Sequence, residues 1–186
     1  MYLPKSKLCI LQKFMELKTL FKLSYGMYIV CSRKDDKING QIVNTVFQIT
    51  SEPPTIAISI NKNNFTHQCI TQTKKFTISI LDKETPLKLI GNFGFKSGRD
   101  IDKFVNIKYK FGITNLPIIL ENTVGYLELE LISQFDIETH TIFVGKVIEA
   151  QILSNTEPMT YAYYHEVKRG TTSKNAPTYI KPEEIK

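Results

Sequence analysis

A short alternating segment at residues 55–61 constrains the fold of this chain more than any other feature. Its three isoleucines alternate with small polar residues, so an extended strand here has one apolar and one polar face. The segment follows a largely polar stretch at 38–50 and two prolines at 53–54, which predicts consecutive strands joined by a turn. Small polar groups let a flat ligand lie close against a sheet, although any antiparallel strand with one solvated face has this pattern.

Strand signals dominate the rest of the chain, and they do not alternate regularly with helices. The predicted elements are a short amphipathic helix over 16–25, strands over 27–33, 38–50, 55–61 and 76–81, helices after Asn64 and from Pro86 to Asn92, and long strands over 124–135 and 140–153. Glycines at 91, 94 and 98 predict a loop, and residues 158–186 have little periodicity. This pattern favours an antiparallel barrel over a doubly wound sheet.

Size and composition predict one compact domain. The chain has 186 residues, of which 42% are hydrophobic, and this is enough for a sizeable core. No apolar run reaches the ~18 residues of a membrane span, and lysines interrupt the first 22 residues, so we expect a cytoplasmic protein without a membrane segment or secretory signal. Residues 1–14 are predicted to be an N-terminal extension, either genuine or produced by an upstream start codon, before a single domain over 15–186.

Charge and cysteine content narrow the possible partners. The net charge of +6 suits a ligand with phosphates or carboxylates, but the basic residues are scattered and form no nucleic-acid motif, so no nucleic acid is expected. Cys9, Cys31 and Cys69 are far apart and predict reduced thiols, with the latter two packed in the interior. The three histidines lack a metal-ligand spacing, and no metal site is predicted.

The order of the motifs resembles the flavin reductase-like family, whose fold is an FMN-binding split barrel. Asn-Gly at 39–40, a polar strand, Glu-Pro-Pro at 52–54, the alternating strand and Asn-Lys at 61–62 follow one another in the family's order. The resemblance begins at about Met15 and continues through the blocks 91–100, 139–147 and 163–172. The last two blocks are most similar to flavoredoxins and the flavin domain of high-molecular-weight rubredoxin. The expected fold is therefore mainly β with short helices, an antiparallel Greek-key split β-barrel.

The resemblance implies two groups of flavin-binding residues on and after the two consecutive strands. The first strand would bind the edge of the flavin ring through Gln41, Val43, Asn44 and Thr45. The second group follows the alternating strand and enters the next helix, whose free N–H groups favour a phosphate; it comprises Ser59, Asn61, Lys62 and Thr66. Without the family, the sequence favours ordinary solvent-facing strand residues for Asn44 and Thr45, and the second group is as typical of an ordinary capped helix with a solvated lysine.

A third group is the segment Phe95, Lys96, Ser97, Gly98 and Arg99, which matches the family's phosphate-contacting loop. Lysine, serine and arginine donate charge-assisted hydrogen bonds to phosphate, although the segment has no P-loop pattern and also resembles an exposed connector. Asp100 and Asp102 are expected to neutralise nearby lysines. Tyr164 is expected to border the flavin site or a dimer interface, with ordinary packing as the alternative.

The resemblance further implies a catalytic role for His140, facing the flavin or the nicotinamide. A histidine with a near-neutral pKa can transfer a proton or hold a carboxamide. Glu138 and Thr139 precede it where the family often has Asp, which leaves a structural histidine as the alternative.

The function implied by the resemblance is electron transfer through bound FMN in a homodimer whose C-terminal tails contact the partner subunit. NAD(P)H would be a transient substrate, FAD is a less favoured cofactor, and the acceptor would be free flavin, a ferric complex, oxygen or a small redox protein such as rubredoxin. One alternative is a flavoredoxin-type carrier without NAD(P)H activity. Another is a non-enzymatic barrel that binds flavin, haem or pyridoxal phosphate, because fold alone does not choose the ligand.

Overall fold

The computed structural model describes residues 16–184, which fall into two units. The larger unit, Tyr25–Tyr179, contains the strands described below. The described part of the smaller unit contains two 3-10 helices, Leu17–Lys22 and Pro182–Glu184. The amphipathic helix predicted over 16–25 is wrong in type and length, since six residues form a 3-10 helix without a buried residue. The predicted extension over 1–14 lies outside the described residues.

The larger unit is mostly antiparallel β-sheet with a few short helices. Its strands are β1 (Tyr28–Lys34), β2 (Lys37–Val43), β3 (Val46–Ser51), β4 (Pro54–Asn61), β5 (Lys75–Leu81), β6 (Tyr109–Phe111), β7 (Pro117–Ile119), β8 (Thr123–Ile137) and β9 (His140–Ile152). Its helices are α1 (Phe65–Thr73), α2 (Leu87–Phe95) and α3 (Tyr161–Glu166). Seven strands form one sheet in the order β2-β1-β5-β8-β9-β4-β3, and β6 pairs with β7.

The connection between β2 and β3 explains how this sheet becomes a barrel. These strands are the two edges of the seven-stranded sheet, yet only Asn44 and Thr45 separate them in sequence. The sheet must therefore curl until its edges meet, and a covalent link closes it where a hydrogen-bonded ladder is missing. Thr45 fixes the crossing, because its hydroxyl donates to the Ser59 carbonyl oxygen and its carbonyl accepts from the Ser59 amide, each at 3.2 Å. The predicted antiparallel split barrel is confirmed.

The single long strand predicted over 38–50 is wrong for the same reason. Its first half, β2, pairs with β1, whereas its second half, β3, pairs with β4 at the opposite edge. Asn44 is buried at the break. A period-2 pattern continues through such a crossing, so the sequence does not reveal it.

Two packed clusters form the core on opposite faces of β1. Val30 lies inside the barrel with Ile58, Ile78 and Phe143, whereas its neighbour Ile29 lies with residues of α2 and the tail, as strand alternation requires. The predicted packing of Cys31 and Cys69 is confirmed: both are buried and unbridged, and burial raises the pKa of each thiol to about 12.

Helix α2 and the tail differ from the sequence prediction. Gly91 and Gly94 belong to α2, which continues to Phe95 where a loop was predicted. A Cβ on Gly94 would lie 3.5 Å from Ile42 of β2, an ordinary van der Waals distance, so the packing of α2 on β2 does not require a glycine there. The aperiodic tail contains α3, whose N-cap Thr160 accepts a 3.1 Å bond from the Tyr163 amide. Between residues 16 and 184, no helix combines the length and the apolar character that crossing a bilayer requires.

Candidate functional site

A cavity of about 230 Å³ lies between β2, the end of β4, the start of α1, the end of α2 and the tail. The tail contributes residues 171–177, hereafter the tail segment, all but Lys174. The cavity brings together residues that are up to 150 positions apart, from Met27 to Pro177. It contains every predicted cofactor-binding residue except Thr45 and Lys62: Gln41, Val43, Asn44, Ser59, Asn61, Thr66, Phe95, Lys96, Ser97, Gly98, Arg99 and Tyr164.

The open rim of the cavity consists of residues 96–99, hereafter the rim loop, and the N-terminus of α1. Arg99 joins the two, since its Nη1 donates to the Asn63 carbonyl oxygen at 3.1 Å and its guanidinium lies 5.3 Å from the centre of the Phe65 ring. The Ser97 hydroxyl accepts from the Arg99 amide at 3.1 Å. The structure therefore places both phosphate-binding candidates, the helix N-terminus and the Lys-Ser-Gly-Arg segment, around one opening.

The buried end of the cavity contains polar atoms without partners. Asn39 donates through Nδ2 to the Thr66 hydroxyl at 2.7 Å, but its Oδ1 accepts no hydrogen bond. The Oε1 of Gln41 is likewise buried and unpaired. Both side chains line the cavity. A buried acceptor without a partner is unfavourable, so these atoms call for a donor from a ligand or water. The imide N–H of a flavin ring is such a donor, and these unpaired acceptors therefore fit a flavin.

Lys103 also lines this buried end, and sequence reasoning missed it. Its side chain is only 4% exposed, and its Nζ donates to the carbonyl oxygens of Gly40 at 2.9 Å and Phe93 at 3.2 Å. Burial lowers the pKa of Lys103 to about 8. The expected neutralisation by Asp102 is wrong, because the Asp102 carboxylate instead accepts from the Phe104 amide at 2.8 Å, and no ion pair of Lys103 occurs among the described residues.

The electrostatic character of the cavity follows from these side chains. Lys96, Arg99 and Lys103 line it, and none of the described residues in its wall is an aspartate or glutamate. Within residues 16–184, no three His, Cys, Asp or Glu side chains form a group that could hold a metal ion. The cavity is therefore suited to an organic anion with both apolar and hydrogen-bonding surface.

His140 does not line the cavity but holds the segment that covers it. Its Nε2 donates to the Asn175 carbonyl oxygen at 3.2 Å, and its Nδ1 accepts from the Thr139 hydroxyl at 2.8 Å. Asn175 in turn donates to the Asn64 side-chain oxygen at 2.8 Å. Burial lowers the pKa of His140, so the ring is neutral at pH 7. The tail segment contacts the cavity although its sequence has no periodic signal.

Lys62 and Tyr164, which were also predicted to bind the cofactor, form contacts within the protein. Tyr164 lines the cavity, and Lys62 does not. Lys62 forms an ion pair with Asp136 at 3.2 Å, outside the cavity wall. Tyr164 is buried and its hydroxyl donates to the Thr171 carbonyl oxygen at 2.9 Å while it accepts from the Thr171 amide at 3.1 Å, so it fixes the start of the tail segment. Burial raises the pKa of this phenol.

Comparison with known proteins agrees with this fold and identifies the family. The sequence profile of the flavin reductase like domain matches residues 20–172, and the chain belongs to that family. It is 56% identical over 165 residues to a high molecular weight rubredoxin of Moorella thermoacetica, covering 89% of this chain and 72% of that protein. It is 40% identical over 166 residues to a ferric-chelate reductase (NAD(P)H) of Archaeoglobus fulgidus, covering 89% and 98%.

A solved structure shows the same fold at lower identity. The NADH:FAD oxidoreductase of Streptomyces globisporus superposes with a TM-score of 0.71 at 22% identity, covering 88% of this chain and 93% of that one. The family predicted from the motif order is therefore confirmed.

Proposed function

We propose that this protein is an FMN-dependent oxidoreductase that transfers electrons from NAD(P)H to an acceptor. The observation that carries the proposal is the cavity wall itself, with three cationic side chains, no carboxylate among its described residues and two unpaired buried acceptors. When bound, FMN supplies hydride acceptance from a nicotinamide and delivery of electrons to the acceptor. The protein binds and orients the cofactor and excludes water.

The two ends of the cavity hold the two ends of the cofactor in this proposal. Lys96, Ser97 and Arg99, with the N-terminus of α1, bind the phosphate, because these groups are solvent-accessible and donate charge-assisted hydrogen bonds. At the buried end, the imide N–H of the ring donates to Gln41 or to Asn39, since the oxidised ring has this one N–H donor. The cavity volume of about 230 Å³ is below the ~300–1,000 Å³ usual for such sites. The cofactor therefore fills the cavity from the buried end to the rim. FMN, which ends at the phosphate, suits this arrangement better than FAD.

Thr45, Lys62 and His140 act indirectly in this proposal. Thr45 fixes the crossing between β2 and β3, and Lys62 holds the turn between β8 and β9 through Asp136. The catalytic role of His140 stays a prediction, and its bond to Asn175 supports a positioning role for the tail segment.

The acceptor is proposed to be a small redox protein or a ferric chelate. A relative at 56% identity is a rubredoxin whose length exceeds the matched region, and another at 40% is a ferric-chelate reductase. We further propose a homodimer, supported by Phe47 and Ile49, which are 57% and 46% exposed on the edge strand β3. The unbridged thiols of Cys31 and Cys69 are consistent with the reducing cytoplasm.

The test is an absorption spectrum of the purified protein, reconstituted with FMN, followed by anaerobic addition of NADH and then NADPH. Flavin bands that bleach with a nicotinamide support the reductase. Flavin that binds but stays oxidised with both favours the electron carrier. A protein that binds no FMN refutes the proposal.

A further inference from the structure

Lys103 differs from the other cations of the cavity because it is buried without a counter-charge. An ammonium has three N–H donors, and Lys103 uses two of them on the Gly40 and Phe93 carbonyl oxygens. Burying an unpaired charge is unfavourable for the free protein. Two neutral carbonyls do not require a charged donor, so the hydrogen bonds alone do not explain a lysine here.

We infer that Lys103 makes the cavity favour the reduced form of the bound flavin over the oxidised form, by fixing a positive charge beside the ring. The inference rests on the proposed function, because it requires a flavin in the cavity. Lys103 is thereby a residue that sets the redox balance of the cofactor, separate from the rim loop that binds its phosphate.

Lys103 belongs to the buried end of the cavity, where the proposed function places the ring, and not to the exposed rim. Its side chain is 4% exposed and its Nζ lies 5.9 Å from the centre of the buried Phe93 ring. Its companions in the cavity wall, Asn39 and Gln41, are the two side chains with unpaired acceptors. A phosphate carries up to two negative charges and is best placed where water still reaches it. The exposed Lys96 and Arg99 at the rim meet that condition.

The charge balance of flavin reduction explains why a cation at the ring matters. A hydride brings two electrons and one proton, so the ring gains one net negative charge, which spreads over its pyrimidine part. Oxidised flavin has a neutral ring. A fixed cation in a site of low dielectric constant therefore stabilises the reduced ring selectively.

The protonation states around Lys103 support this role. With its pKa at about 8, Lys103 carries its charge at pH 7. The Cys31 thiol, which also acts electrostatically on Lys103, is neutral because burial raises its pKa to about 12. The cation at this end of the cavity is thus uncompensated until a negatively charged ligand arrives.

The experiment compares Lys103→Gln, Lys103→Met and Lys103→Arg with the wild type. For each protein, fluorescence titration gives the Kd of oxidised FMN, and anaerobic titration with a reference dye gives the midpoint potential of the bound flavin. The Kd of oxidised FMN should change little. The preference for reduced over oxidised flavin should fall about tenfold or more in the Gln and Met variants, the size of one charge–charge interaction in a protein, and the potential should fall accordingly. Arginine should keep most of the wild-type potential.

Lys110→Gln is the matched control. Lys110 is exposed; its Nζ donates to the Tyr126 hydroxyl at 3.0 Å and lies 4.6 Å from the centre of that ring, and it is outside the cavity wall. Its removal should leave both quantities unchanged. Thermal melting of each apo-protein identifies a misfolded variant, and Lys103→Gln retains donors for the two carbonyls if Lys103→Met does not fold.

Two outcomes would overturn the inference while FMN still binds the wild type. An unchanged potential in folded Lys103→Gln would mean that the charge does not reach the ring. An equal loss of affinity for oxidised and reduced flavin would place the charge beside the phosphate. A wild type that binds no FMN would instead refute the proposed function, so the two failures are distinguishable.

Discussion

The two ends of the cavity both carry positive charge, but the charge is exposed at the rim and buried at the other end. At the rim, Lys96 and Arg99 are exposed, and Arg99 is held by the Asn63 carbonyl and the Phe65 ring. At the buried end, Lys103 is almost fully enclosed and has no acidic partner among the described residues. Solvated charges attract a ligand at little cost to folding, whereas a buried charge acts strongly and destabilises the free protein. The rim therefore determines whether the cofactor binds, and the buried end determines which redox state is preferred.

The largest effect is expected where the rim loop meets the buried end of the cavity. Gly98 belongs to the rim loop, and a Cβ there would overlap Asn39 Oδ1 at the buried end. Gly98→Ala should therefore displace Asn39 or the loop and lower the free energy of unfolding by about 1–3 kcal/mol, with weaker FMN binding. Chemical denaturation and FMN titration measure the two effects.

Gly91→Ala is the matched control for this substitution. Gly91 lies in α2, and a Cβ there would meet nothing within 4 Å. Alanine should increase the free energy of unfolding by up to about 1 kcal/mol through helix propensity. If both glycine variants behave alike, the close approach of the rim loop to Asn39 is not a constraint on the site.

The cost of the buried charge predicts a pH dependence of stability. Lys103 loses its proton at about pH 8 in the folded protein, whereas an unfolded chain keeps it to an ordinary pKa of about 10.4. Between these values the unfolded state binds more protons, so raising the pH through this window increases the free energy of unfolding. Between pH 7 and pH 10, wild-type stability should rise relative to Lys103→Gln by about 1–3 kcal/mol. Parallel profiles from urea denaturation would contradict the assignment.

Salt concentration should affect FMN affinity, which depends on the rim, more than the midpoint potential, which depends on the buried end. FMN binding to the wild type should weaken several-fold as NaCl rises from about 0.05 to about 0.5 M, since exposed charges are screened. The midpoint potential of bound flavin, which we assign to Lys103, should move much less. Arg99→Ala should flatten the salt dependence, with the exposed Lys88 replaced by alanine as a control. A potential that follows salt as steeply as the FMN affinity would remove the distinction between the ends.

The smallest effect is expected at His140, which contacts the site only through the tail segment. Losing the hydrogen bond from His140 to the Asn175 carbonyl oxygen removes about 1 kcal/mol of the free energy that holds the tail segment in place. His140→Ala should therefore weaken FMN binding by about fivefold and leave the rate of flavin reduction by a nicotinamide, measured at saturating FMN, largely unchanged. A loss of that rate by about a hundredfold or more would restore the predicted catalytic role. His67→Ala serves as the control outside the cavity wall.

The sequence predicted the rim better than the buried end, and the reason is physical. Residues 96–99 stand out because they match the family's phosphate-contacting loop, and lysine, serine and arginine donate charge-assisted hydrogen bonds to phosphate. On composition alone, the segment is as typical of an exposed connector. Lys103 gives no signal of its burial, because a lysine between Asp102 and Phe104 is typical of a surface. Its buried position depends on contacts with distant backbone, the Gly40 carbonyl in β2 and the Phe93 carbonyl in α2. The break at Asn44 and Thr45 was likewise hidden, since strand alternation continues while the chain changes its pairing partner.

The tail segment shows the same limit. Its residues form no regular element, and single contacts hold it in place: Asn175 donates to the Asn64 side chain, and Thr178, just beyond the segment, accepts from the Asn44 side chain. Such contacts connect positions more than a hundred residues apart, and no local pattern encodes them.

The most direct test of the central claim is to compare FMN with riboflavin, which has the same ring but no phosphate. Binding of both to the apo-protein should be measured for the wild type and for the double variant with Lys96→Ala and Arg99→Ala. The account predicts that the wild type binds FMN at least about tenfold more tightly than riboflavin, and that the double variant binds the two with nearly equal affinity. Failure of the wild type to bind either molecule, or an FMN preference that the double variant keeps in full, would contradict it.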